Sequence, residues 1–222
     1  SLLGVMADGG MAEYIKVPAN KLIELPSGLD VAIASLVEPL AVAVHGVDRA
    51  HVREADRVLI IGAGPIGLAI GAVLRGRGIA YDITARYPHQ QQAAERLGGK
   101  LRADGHYDVV MDAIGSAASL KQSTTRVKPM GRIGLVGMFW EPTKLEQAFW
   151  AKEAVLIPAA GYYCKSPSRS FDEARTLLHQ YPDIAQALIT HRYPLEGVTE
   201  AFHTAGTRAA GAIKVVFDIG KR

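Results

Sequence analysis

The chain has 222 residues, 49% of them hydrophobic and 21% charged, with a net charge of +3. This is the balance of a soluble globular protein of one large domain or two modest ones, long enough to bury a core without covalent staples. The basic residues are scattered, which argues against nucleic acid or a lipid surface as partner. A lone cysteine, Cys164, excludes an internal disulfide; with no signal peptide and no apolar run of membrane-spanning length in view, the expected location is cytoplasmic.

The first residue is Ser1, not Met, and the abrupt opening reads as a cut end. Residues 11–26 alternate in β fashion around Pro18 and Pro26 and predict short strands and turns. Ser27-Gly28-Leu29-Asp30 is turn chemistry, with Asp30 placed to cap the helix that follows. Residues 31–50 have helical spacing, and Pro39 predicts a division into two pieces. The second piece, from about Leu40, is apolar on nearly all sides and therefore expected to be buried.

Residues 57–61 (RVLII) are a continuous apolar run, the pattern of a strand buried on both faces. A glycine turn follows, then a helix to about Arg75. Further strands are predicted at 81–85, 107–112, 132–137 and 153–157, with helices at 89–97 and 117–127 and a turn at Pro129-Met130-Gly131. Strands alternating with helices predict a doubly wound parallel α/β sheet. Gly99 to Tyr107 is too short for a full strand and helix, so Leu101 is expected to keep a stub of an edge strand. Beyond Tyr163 the alternation ends: helices are predicted at 170–180 and 195–205, and a closing strand at 212–218.

The turn reads Gly62-Ala63-Gly64-Pro65-Ile66-Gly67. It follows an apolar strand and opens a helix, the context in which Gly-x-Gly-x-x-Gly binds a dinucleotide. Gly62 permits the tight turn, Gly64 the approach of pyrophosphate to the helix N-terminus, and Gly67 close helix–strand packing. The residue ending the second strand distinguishes the cofactors: an acid there holds the adenosine ribose of NAD, and a nearby Arg accommodates the 2′-phosphate of NADP. Here the strand ends in Ala85 and Arg86 follows. A guanidinium can hold phosphate through two hydrogen bonds, so NADP is the expected cofactor and NAD the alternative. His89 and Gln90 stand within reach of the same phosphate edge. Asp82, the competing acid, comes three residues too early in the strand.

Taken together, several segments resemble the medium-chain, zinc-type alcohol dehydrogenase family, in particular its sorbitol/threonine dehydrogenase branch. They are Asp8-Gly9-Gly10-Met11-Ala12-Glu13-Tyr14, Leu36-Val37-Glu38-Pro39-Leu40, the glycine turn, Pro129-Met130-Gly131-Arg132, Lys152-Glu153, Ile189-Thr190-His191-Arg192 and Lys214-Val215-Val216. The resemblance implies a Rossmann coenzyme domain over 38–163, flanked by parts of a β-rich GroES-like catalytic domain at 1–37 and 164–222. It also implies hydride transfer between an alcohol or carbonyl substrate and the nicotinamide, with zinc polarising the oxygen, in a homodimer or homotetramer. The family's zinc-ligand Cys, its Gly-His-Glu segment and its structural zinc lobe precede the motif that begins here at Asp8. An incomplete zinc site and little or no turnover by this chain alone are therefore expected.

The same resemblance places Glu38 at the metal, although from sequence alone it is equally a helix-start acid. Ile114 and Gly115 end one strand and Val136, Gly137 and Met138 another, facing the cofactor crevice at the carboxyl ends of the sheet. Gly161 and Tyr162 match a coenzyme-facing stretch and Tyr163 a substrate-facing one, with packing at the domain junction as the alternative. Tyr162 stands where the sorbitol branch has Arg, which argues against a polyol substrate. His45 is expected to be a core histidine, and the Thr-His-Arg segment a structural turn. Two other functions remain open: a zinc-free quinone or enone reductase, against which Glu38-Pro39 argues, and a non-catalytic NADP-binding module.

Overall fold

The computed structural model describes residues 3–162 and 167–220, and of Pro167 and Arg208 the backbone only. Alternation along the central strands sets the architecture. In β1 (Val58–Ile61), Val58 and Ile60 join one hydrophobic core while Leu59 and Ile61 join another on the opposite face. In β3 (Tyr107–Asp112), Val109 and Met111 face the first core and Val110 the second. A sheet apolar on both faces needs helices on both sides.

Those helices are supplied in turn. The remaining sheet strands are β2 (Tyr81–Thr84), β4 (Val127–Leu135) and β5 (Val155–Pro158). All five pair in parallel in the order β2-β1-β3-β4-β5. Helices α1 (Val37–Arg49), α2 (Pro65–Gly76) and α3 (Pro88–Arg96) contribute to the first core. Helices α4 (Ala117–Arg126) and α5 (Gln147–Ala151) lie between strands on the other side of the chain path, and Phe149 packs on the second core. The chain leaves β1 toward β2 and returns to β3 on the other side of β1, so the strand order reverses between β1 and β3; ligands enter open α/β sheets at such a point.

The edge beyond β2 keeps a remnant strand. It is Lys100, one residue before the expected Leu101, that bridges in parallel to Asp82. Asp82 is buried there and accepts from Arg102 Nε at 2.9 Å and from the Tyr107 hydroxyl at 2.8 Å. Burial, helped by the bond to Asp82, pushes the Tyr107 phenol up to about 12.

Helices α6 (Pro167–Gln180) and α7 (Asp183–Leu188) pack against α1, α2 and α3. A two-stranded parallel sheet of β6 (Ile189–Pro194) and β7 (Lys214–Asp218) follows, with α8 (Val198–Gly206) between its strands.

Several expectations are corrected. No strand forms in 11–26, where a single short 3-10 turn, Ala19–Lys21, appears; alternation alone makes no strand without a neighbour to complete its hydrogen bonds. Pro39 does not divide the helix. Val31–Leu36 is 3-10 and α1 begins at Val37, so Pro39 lies in the first turn, where its missing N–H has no intrahelical acceptor to lose. Pro129-Met130-Gly131 falls within β4, where the register to β3 shifts and Met130 takes φ +58°. Thr190-His191-Arg192 is strand rather than turn. Val31–Arg49 is, by length and composition, apolar enough to cross a membrane; here it supplies the buried core helix α1.

Candidate functional site

The glycine turn joins the carboxyl end of β1 to the N-terminus of α2, and each glycine has its own reason. Gly62 takes φ +98°, and a Cβ there would lie 2.6 Å from Ile114 Cγ1. A Cβ on Gly67 would lie 1.8 Å from the Gly62 carbonyl oxygen, so the helix rests on the turn's backbone. Around Gly64 nothing lies within 4 Å of a built Cβ: its freedom from a side chain leaves open space over the first turn of α2. Pro65 occupies the first helical position. The N–H groups of the first turn, including those of Ile66 and Gly67, have no acceptor within the helix and suit an anion. Thr84 Oγ1 accepts from Gly62 N at 3.0 Å and ties the turn to the end of β2.

Around this turn runs a cleft of about 740 Å³ that brings together Gly62, Gly64, Pro65, Ala85, Arg86 and Gln90 with Ile114. Arg86 is exposed, sits 5.4 Å from the Tyr87 ring centroid, and joins no ion pair among the described residues. Tyr87 in turn stacks on His89 at 5.6 Å. Gln91 Nε2 donates to the Ala85 carbonyl at 3.2 Å and holds the strand end down. Asp82 is turned into the sheet edge, engaged by Arg102 and Tyr107, and takes no part in the cleft.

Sequence reasoning missed Thr84, Ala113, Gln122, Ala205, Ala212 and Ile213, which line the same cleft. Thr84 was within reach, as the last residue of the second strand. Gln122 arrives from α4, and the last three from α8 and the approach to β7, so no local pattern marks them.

Val136, Gly137, Met138 and Gly161 do not line the glycine-turn cleft. They border a second, apolar hollow of about 540 Å³ with Leu120, Leu135 and Leu156. Ile114 and Gly115 form the ridge between the two, with Gly115 pressed against Gly137 and Met138. The Tyr162 ring meets Phe171 edge-on at 4.8 Å. Tyr163, with Cys164, lies outside the described residues.

Glu38 is in the first turn of α1. Its side chain reaches solvent, yet surrounding protein raises its carboxyl above the ordinary value, an effect that Lys214 opposes. Among the described residues no three His, Cys, Asp or Glu side chains come together as a metal site. Catalytic zinc takes three protein ligands, so the described residues do not by themselves fit that ion, and Glu38 supplies at most one ligand. His45 is buried in α1, where burial lowers its pKa, as expected of a core histidine.

The family described as glucose dehydrogenase C-terminus matches residues 31–219. The chain belongs to the zinc-type, medium-chain alcohol dehydrogenase family. It is similar to an L-threonine 3-dehydrogenase of Saccharopolyspora erythraea, at 30% identity over 234 residues, covering 97% of this chain and 66% of that one. An alcohol dehydrogenase of Escherichia coli CFT073, solved with NADH, superposes with a TM-score of 0.84 at 25% identity over 97% of this chain and 67% of its own. A protein of Sinorhizobium meliloti 1021 described as a zinc-binding dehydrogenase, solved with NADP, gives a TM-score of 0.82 at 26% identity over 97% and 68%. The chain spans 63% to 66% of the length of the first curated relatives it matches. Family membership accounts for the Rossmann architecture.

Proposed function

We propose that this chain is the dinucleotide-binding portion of a zinc-dependent alcohol or polyol dehydrogenase, that it takes NADP in preference to NAD, and that alone it turns over alcohol weakly or not at all. One observation carries the cofactor choice: at the end of β2, Arg86 is a cation in no ion pair among the described residues, while Asp82 is buried at the sheet edge. In this reading the pyrophosphate lies over Gly64 at the N-terminus of α2. The 2′-phosphate meets Arg86, with Gln90 and His89 beside it. Val136, Gly137, Met138, Gly161 and Tyr162 serve the nicotinamide end, Tyr163 the alcohol or carbonyl substrate, and Glu38 the metal. Relatives solved with NADH and with NADP show that both cofactors occur on this fold.

Titration of the protein with NADPH and NADH tests the reading. NADPH is expected to bind at least tenfold more tightly, about 1.4 kcal/mol; tighter binding of NADH would overturn the assignment to Arg86. The reading also includes a homodimer or homotetramer. Support comes from β5, which ends the sheet with Val155 exposed, and from Trp140 and Trp150, which are exposed in the segment leading to it. Sedimentation equilibrium should show a dimer or larger; a monomer at micromolar concentration would remove that part.

A further inference from the structure

Asp112 ends β3 between the glycine-turn cleft and the apolar hollow, and it is fully buried. Its Oδ1 accepts from Ile114 N at 2.9 Å and from Gly115 N at 3.0 Å. Its main-chain carbonyl accepts from Val136 N and Gly137 N, both at 2.9 Å. One residue therefore fixes the backbone at the ends of two strands. Those ends interlock closely: Gly115 has φ +76°, and a Cβ on it would lie 2.4 Å from the Met138 carbonyl oxygen. A Cβ on Gly137 would lie 2.4 Å from Gly115 N.

The other carboxylate oxygen, Oδ2, is buried and makes no well-formed hydrogen bond among the described residues. The nearby Ser119 hydroxyl donates to the Ser116 carbonyl in the cap of α4. Burial raises the Asp112 carboxyl above its ordinary pKa, against the pull of the Gly115 and Ile114 N–H groups and of the Ser119 hydroxyl. A buried carboxylate with one oxygen unpaired is costly, and the return visible in the structure is a rigid ridge.

We infer that Asp112 is a positioning residue for the second half of the dinucleotide, setting the Ile114–Gly115 ridge and the Val136–Gly137 strand end against which that half lies. The inference rests on the proposed reading of the cleft. With the adenosine end at Arg86 beside β2 and the pyrophosphate over Gly64, the sheet order β2-β1-β3-β4 carries the remaining ribose and nicotinamide toward the ends of β3 and β4. Asp112 acts through the backbone of its neighbours and does not enter the lining of the cleft.

The test compares NADPH with adenosine 2′,5′-bisphosphate, which keeps both phosphates of the adenosine half and lacks the nicotinamide half. In Asp112→Ala, NADPH affinity should fall about tenfold or more while the bisphosphate stays within about twofold. Asp112→Asn keeps an acceptor for both N–H groups and should restore NADPH binding to within about threefold. Should the alanine variant fail to fold, Asp112→Ser, whose shorter hydroxyl cannot span both N–H groups, should give the same split. Equal losses for both ligands, or no loss of NADPH, would overturn the positioning role. A parent protein that binds the bisphosphate and NADPH equally poorly would instead overturn the reading of the cleft, and this inference with it.

Discussion

Gly64 and Gly67 belong to one motif yet answer to different demands, and single substitutions separate them. Gly67→Ala forces a Cβ against the Gly62 carbonyl and should destabilise the fold by about 2 kcal/mol or more. Gly64 has an ordinary φ of −79° and open space around it, so Gly64→Ala should melt near the parent temperature and still lose NADPH affinity, because the new methyl stands where pyrophosphate must approach. Thermal melts paired with NADPH titration check both; a Gly64→Ala variant that binds normally would remove the phosphate from this turn. That the glycine turn, Ala85, Arg86 and Gln90 would meet around one cleft was legible in the sequence, because it depends on local spacing. The roles of Asp82 and Asp112 were not. Asp82 is diverted by Arg102 and Tyr107, and Asp112 works through strand ends that only the folded sheet brings together.

At the level of elements, the buried parallel strands were the clearest, since a strand covered on both faces must be continuously apolar. Short or half-exposed elements were not. α5 has five residues, too few for helical periodicity to register. β6 alternates with polar Thr190 and Arg192 on its exposed side, so its apolar content is weak. Lys152 shows how such joints are secured. Its Nζ donates to the carbonyls of Thr124, Thr125 and Val127 at 2.7, 2.9 and 2.7 Å, closing the C-terminus of α4 from the far end of α5. Lys152→Met keeps the apolar stem and removes the donors, and should cost about 2 kcal/mol in chemical denaturation; unchanged stability would show that solvent serves those carbonyls equally well.

Across the whole molecule, the two cores on opposite faces of one sheet make the Rossmann unit, and the later elements return to it. α6 and α7 cover α1 and α2, while α8 and the approach to β7 bring Ala205, Ala212 and Ile213 to the cleft. The sequence marked the change of pattern after Tyr163 but not where that segment would pack, because contacts between distant stretches leave no local period. In the proposed complex a phosphorylated dinucleotide lies on the glycine turn with its 2′-phosphate read by Arg86. Calorimetric titration of NADPH and NADH into the Arg86→Ala variant tests it most directly. NADPH should weaken by about tenfold to a hundredfold, the loss of a charge-assisted contact of roughly 1.5–3 kcal/mol, while NADH affinity stays unchanged; an equal loss for both cofactors, or no loss for either, would show that Arg86 does not read a 2′-phosphate.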